Sequence, residues 1–221
     1  VQNKYNMDQK VKEALYESLQ MASPSGSEEQ VTNLFQRMVS PYVDEVYTDV
    51  NGNCIAHKKG SGQKIMLMAH ADEVGLMISY IDDRGFLYFK EIGSIDTNLL
   101  PAQRVSIMGQ QGLITGVIGK KSIHLQDKSE NNKDLNPEDL WIDIAAKDKA
   151  DAESKVRIGS VATFQVTPTQ LNDTLLLSKS LDDKIGLAVL MGLAQNLLSQ
   201  PTDKDIYLVI SRSEERFSRN A

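Results

Sequence analysis

The chain has 221 residues, 41% of them apolar and 24% charged, with a formal net charge of −6. This is enough for one large domain or two small ones around an ordinary core. The acidic balance argues against nucleic acid as a partner, which needs a basic face, and no apolar run approaches the roughly 18 residues of a membrane span.

The N-terminal stretch VQNKYNMDQK lacks the apolar core of a signal peptide. Cys54 is the only cysteine, so no disulfide framework is expected and a cytoplasmic, reducing location fits. In DQKVKEALYESLQMA, Val11, Ala14, Leu15 and Leu19 share one helical face. SPSGSEEQVTNLFQRMV reads as a second helix, with Ser27 and Gln30 as a capping box and Val31, Leu34, Phe35, Met38 and Val39 on its apolar side. VDEVYTDVNGNCIAHKKG reads as two strands around an Asn-Gly turn. His57 lies beside two lysines and is expected at the surface without a role; Cys54 is expected in the core. QKIMLMAHAD has the signature of a buried parallel strand whose C-terminal end opens on a site. Met66, Met68 and Met77 are expected to serve packing.

Past Asp72 the pattern changes. GLMISYIDDRGFLYFKEIG is a hairpin around Asp83-Arg84-Gly85, and RVSIMGQQGLITGVIG is another strand pair. Short strands continue to VRIGSVATFQV, with one short helix in AKDKADAESK. Residues 73–165 therefore read as a small β-barrel or sandwich. The polar stretch QDKSENNKDLNPED within them reads as a mobile surface loop. Helical periodicity returns in DTLLLSKSLDDKIGLAVLMGLAQNLLSQ, a strand, a loop and a long apolar helix, and DKDIYLVIS is a final strand. The fold class is α/β, with residues 1–72 and 166–221 forming one discontinuous domain interrupted by a β domain over 73–165.

Three clusters could carry chemistry: His70-Ala71-Asp72, Asp182-Asp183 and Glu214-Glu215. Each has a bland reading. His-x-Asp after a strand arises by chance, Asp182 could cap the helix that starts near Lys184, and the paired glutamates could end an exposed strand. All three fall at ends of strands or helices in the α/β part, where open sheets place their sites. Imidazole and carboxylates are a ligand set for zinc, cobalt or manganese. Adjacent glutamates also allow one to bind metal while its neighbour acts as general base.

The motifs MLMAHADEVGLMISYI, SKSLDDKIGLAVL and LVISRSEE, in this order, resemble those of the M42 metallo-aminopeptidases, the glutamyl and tetrahedral aminopeptidase group. SPSGSEE, VNGNCIA, GVIGKKSIH and LWIDIAAKDKADAESKVRIG add to the resemblance, which covers nearly the whole chain. It implies a catalytic α/β domain interrupted by a barrel-like or PDZ-like dimerisation domain. It also implies removal of N-terminal residues from peptide substrates by two divalent metal ions, zinc or cobalt, in a homo-oligomer, either a dimer or a larger shell. Carried over by position, His70 would bind one metal, Asp182 would bridge both, and Glu215 would bind the second. Glu214 would be the general base, and Asp72 would orient a neighbouring group in the catalytic site. His124 falls near a family histidine and could lie at the rim of the site or at the surface.

After its paired glutamates the family continues through a Gly-Leu-x-Gly turn and supplies a further aspartate and a further histidine ligand. Here the text is RFSRNA. One codon choice for it, read a nucleotide out of frame, yields Gly-Leu-Ala-Gly-Thr, so the tail is expected to be a reading-frame product. The expectation is a C-terminally truncated aminopeptidase chain of questionable activity. The alternative is a catalytically inactive subunit that docks on a complete homologue through its β domain.

Overall fold

The structure is a computed structural model that describes residues 7–121, 135–196 and 198–212. The chain divides into two compact units, Val1–Glu73 with Val166–Ala221, and Val74–Gln165.

In the discontinuous unit, helix α1 (Gln9–Gln20) starts where the Asp8 carboxylate accepts the amides of Lys10 and Val11. It buries Val11, Ala14, Leu15 and Leu19, the expected face. Helix α2 (Glu29–Val39) buries Val31, Leu34, Phe35 and Val39. Its start corrects the expected capping box. Glu28 occupies the cap position without a side-chain cap bond. Its buried carboxylate instead accepts the Gly26 amide at 2.6 Å and the Arg212 Nε–H at 3.0 Å. Strands β1 (Glu45–Thr48) and β2 (Cys54–Lys58) pair antiparallel around a turn that contains Gly52 at φ +84. Strand β3 (Lys64–His70) follows. After the inserted unit, helix α4 (Leu181–Asn196) and strand β12 (Asp205–Ser211) complete the sheet, whose order is β1-β2-β12-β3. β12 is antiparallel to β2 and parallel to β3. Phe35, Leu187, Met191, Leu208 and Ile210 are among the residues that form the core beneath it. Between β3 and the helix, β10 (Thr169–Asn172) and β11 (Leu175–Leu177) form a separate small hairpin.

β3 was expected to be buried, yet Met66, Leu67 and Met68 are 62%, 37% and 40% exposed. The reason is its place at the end of the sheet order, paired only with β12 among the described residues. Met66 and Met68 therefore present surface, and so does Met77 in the other unit. Cys54 is buried as expected, and burial raises its thiol pKa.

His57 is also a correction. It is buried, with Nδ1 2.9 Å from Glu45 Oε1 and Nε2 2.6 Å from Asp205 Oδ1, and its ring stacks on Tyr207. A neutral imidazole has one N–H, so two carboxylate partners call for the imidazolium form. Burial works against that charge, but the bonds to Asp205 and Glu45 outweigh it and raise the His57 pKa. The same bonds lower both carboxylates.

The inserted unit is a closed barrel in the order β4-β5-β8-β7-β6-β9. Its strands are β4 (Gly75–Ile81), β5 (Leu87–Ile92), β6 (Arg104–Gly109), β7 (Gly112–Lys120), β8 (Leu140–Asp143) and β9 (Val161–Phe164). Closure leaves no unpaired sheet edge. The β4–β5 turn sits at Asp82–Phe86 as expected, with Gly85 at φ +86. Leu76, Ile78, Phe89, Ile107, Ile118 and Ile142 fill the interior, joined by Ala152 of helix α3 (Lys149–Lys155). Most of the expected mobile loop, together with His124, lies outside the described residues. Among the described residues no helix is long and apolar enough to cross a membrane.

Phe35 is fully buried, so Phe35→Ala should cost about 3–5 kcal/mol in urea unfolding. The His57 cluster should make stability depend on pH. A raised histidine contributes fully below its ordinary value of 6.5 and loses its contribution as pH rises through the folded-state pKa. The lowered carboxylates contribute above their ordinary values and lose that as pH falls. Thermal melts of the wild type and His57→Gln should therefore differ most between pH 4.5 and 6.5 and converge at alkaline pH. A difference that grows with pH would contradict the assignment of an imidazolium.

Candidate active site

β3 and β12 run parallel with Ser211 opposite His70, and the Ala71 amide donates to the Ser211 carbonyl at 3.0 Å. The two strands deliver their C-terminal ends side by side, the position at which open α/β sheets carry ligands.

His70 stands at that edge between two carboxylates. Its Nδ1 is 3.0 Å from Asp72 Oδ1, and its Nε2 is 3.1 Å from Asp182 Oδ1. The other Asp72 oxygen accepts a hydrogen bond from the Ser25 hydroxyl. The Asp72 bond is the main cause that carries the His70 pKa up to about 9, against the effect of burial. The two carboxylates differ in access. The Asp72 side chain is 11% exposed and that of Asp182 88%.

The exposure of Asp182 has a backbone cause. Within α4, Asp182 (φ −86, ψ 108) and Asp183 (φ −121, ψ 38) are non-helical, and the peptide between them is cis. The cap that the sequence left open for Asp182 belongs to Asp183, whose Oδ1 accepts the Gly186 amide at 2.9 Å. A Cβ on Gly186 would come within 2.5 Å of that carboxylate, so a side chain there would shift it from this position. Asp182 is thereby left to face His70.

Next to this line lies a buried ion cluster. The Lys179 ammonium donates to both Glu73 oxygens at 2.7 and 2.6 Å, and Lys184 Nζ is 3.6 Å from Glu73 Oε1. Burial pushes Lys184 down to about 8, with Glu73 opposing.

Of the residues singled out in the sequence, the structure brings together His70, Asp72 and Asp182. Glu214 and Glu215 lie outside the described residues, three and four positions past the end of β12. Among the described residues, no group of three or more His, Cys, Asp or Glu side chains is arranged to hold a metal ion.

The M42 glutamyl aminopeptidase family description matches residues 52–219. The chain belongs to the M42 peptidase family. It is 32% identical to lysyl aminopeptidase of Pyrococcus furiosus over 193 residues, 86% of this chain and 55% of that one. Among solved structures it superposes on an aminopeptidase of Desulfurococcus kamchatkensis with a TM-score of 0.86 and 34% identity, covering 94% of this chain and 57% of that one. A TET1 peptidase of Pyrococcus horikoshii, described as assembling into a tetrahedron or a large octahedral shell, gives a TM-score of 0.82 at 29% identity over 91% of this chain and 61% of that one. The mixed α/β fold is thus that of M42 peptidases. The chain spans about half the length of the curated relatives it matches.

Sequence reasoning missed four ionic residues of this M42 chain: Glu28, Glu73, Lys179 and Lys184. One signal was available. Lys184 interrupts the apolar helix text IGLAVLMGLA at its start, and a charge that precedes a buried run either snorkels or is paired. Glu73 and Lys179 carry no such signal, because their partners are distant in the chain.

The division between the two aspartates is measurable. Asp183→Ala should lower stability by about 0.5–2 kcal/mol through the lost cap. Asp182→Ala, at an exposed carboxylate, should cost far less in the same denaturant titration. The reverse order would return the cap to Asp182.

Proposed function

We propose that this chain carries the His70 and Asp182 part of a metal-dependent aminopeptidase site that removes N-terminal residues from peptides. The observation behind this is the placement of His70 between an orienting and an exposed carboxylate, at the strand ends of an M42 chain. The donor set fits a divalent cation. The His70 Nδ1 position is taken by Asp72, so Nε2 would be the nitrogen that turns to a cation. Asp182 Oδ1 faces that nitrogen at 3.1 Å, and imidazole with carboxylate suits zinc or cobalt. A carboxylate on the other nitrogen fixes the tautomer and makes the imidazole a better ligand. In this reading His70, Asp182 and Glu215 would be the residues that hold the metal. When bound, such ions polarise a peptide carbonyl and lower the pKa of water.

The chain's own residues do the rest. Asp72, held by Ser25, keeps His70 turned toward Asp182. Glu214 takes the proton from the attacking water and passes it to the departing amine. Asp182, exposed and free of the helix cap, commits neither oxygen to a helix amide. The lysyl aminopeptidase and aminopeptidase relatives support this reaction class. The shells described for TET1 support a homo-oligomer, with the barrel of residues 74–165 as its dimerisation unit. A buried lone cysteine suits a cytoplasmic location.

Calorimetric titration of the purified chain with cobalt or zinc tests the reading. Saturable binding should be present in the wild type and lost in Asp182→Ala. Glu214→Gln should keep the metal and slow hydrolysis of an aminoacyl p-nitroanilide by about 10²–10⁴-fold. Absence of binding in the wild type, or binding indifferent to Asp182→Ala, would refute the metal site. Full turnover in Glu214→Gln would remove Glu214 as the base.

A further inference from the structure

Three segments supply the line Ser25–Asp72–His70–Asp182: residues 21–25 after α1, residues 70–73 at the end of β3, and residues 178–184 around the start of α4. Glu73 is joined to all of them. Its amide donates to the Ser23 carbonyl at 2.9 Å, and its Oε1 accepts the Ser23 amide at 2.9 Å and the Ser23 hydroxyl at 3.4 Å. Both its oxygens accept from Lys179. Lys179 Nζ also reaches the Met21 carbonyl at 3.0 Å, and Lys184 Nζ reaches the same carbonyl at 3.4 Å. The centre of the cluster lies out of water, with Lys179 at its margin. Glu73 is 7% exposed and Lys184 0%. Residues 178–180 have few other anchors, since the buried hydroxyls of Ser178 and Ser180 have no hydrogen-bond partner among the described residues.

We infer that Glu73, Lys179 and Lys184 are positioning residues for the site, and that their ion cluster sets the separation of His70 from Asp182 and with it the affinity for a divalent cation held between them. Glu73 is three residues from His70, Lys179 three before Asp182, and Lys184 two after it. A buried carboxylate between two ammonium groups holds its geometry strongly, because separating the charges would leave each one unpaired in a poor dielectric. The cluster touches neither a cation nor a peptide; it acts through the loops that carry the ligands. For the cation, the inference rests on the metal-site reading above.

Lys179→Met is the variant of choice. It keeps the length of the buried side chain and leaves one ammonium, Lys184, opposite one carboxylate, so the remaining cluster is neutral. In the metal-free chain the His70 ring resonances in ¹⁵N–¹H spectra should shift. Cobalt affinity should fall by about 10-fold, the lower end of what losing a group bonded directly to a ligand costs. Lys179→Arg keeps a charged group able to donate to both Glu73 oxygens, and should restore most of the affinity and the His70 resonances. Ile142→Val, in the barrel core, should move neither. A folded Lys179→Met chain with His70 unmoved and cobalt affinity unchanged overturns the inference. If Lys179→Met does not fold, Glu73→Gln, which keeps the side-chain shape, is judged by the same two measurements and the same criterion. Failure of cobalt to bind even the wild type would count against the metal site alone, and the His70 resonances would then decide the positioning role.

Discussion

The parallel pairing of β12 with β3 is the constraint on which the discontinuous unit depends. Its partners are far apart in sequence, since residues 64–70 meet residues 205–211 across the whole inserted barrel. Such a pairing must overcome the entropy of closing a long loop before it returns any stability. The barrel lowers that cost by being a compact unit of its own, which replaces a long flexible loop with a folded body. On its other side β12 also pairs antiparallel with β2, so one late strand joins two early ones. The same register aligns Ser211 with His70 and so decides where the strand ends, and any chemistry built on them, will lie.

Three consecutive residues at the start of α4 show how folding and chemistry are kept apart. Asp182 is turned to solvent and toward His70, Asp183 caps the helix through Gly186, and Lys184 is buried against Glu73 and the Met21 carbonyl. If Asp182 capped the helix, one of its oxygens would be committed to an amide. If Lys184 were exposed, the first turn of α4 would have no polar tie to the loop after α1. The non-helical backbone at Asp182 and Asp183 is what lets adjacent side chains point to such different partners. Stability measurements alone would rank Asp182 as the least important of the three, which is the opposite of its rank in the proposed chemistry.

Much of this was legible in the sequence, and the errors have specific causes. The apolar faces of α1 and α2 and the β4–β5 hairpin follow from periodicity and turn chemistry, which are local properties. The association of His70, Asp72 and Asp182 followed from motif resemblance and from the rule that sites gather at strand ends. The exposure of β3 was not legible because an apolar run identifies a strand but not its place in the sheet, and among the described residues β3 has a strand neighbour on one side alone. The capping box failed for a related reason. Ser27 and Gln30 have the right spacing, but Glu28 between them is drawn inward by Arg212, a residue nearly the whole chain away. Pairing of the buried charges Glu73 and Lys179 is likewise a tertiary fact with no local trace.

The two histidines make the last distinction. His57 and His70 have the same electronic arrangement, each ring nitrogen facing a carboxylate oxygen, and both pKa values are raised. The direction of the pKa shift does not separate them, although only His70 is carried up to about 9. Their surroundings separate them. At His57 the Nε2 partner is Asp205, 11% exposed, at 2.6 Å, and Tyr207 covers the ring. At His70 the Nε2 partner is Asp182, 88% exposed and held by an irregular turn. A cation entering between nitrogen and carboxylate would have to displace a buried proton and a stacked ring in the first case. In the second it would replace a proton between His70 and an exposed carboxylate. An imidazole between two carboxylates is therefore a fixed joint between strands in one place and, in the proposed site, would be an exchangeable ligand pair. What decides between these roles is the solvent access of a single carboxylate.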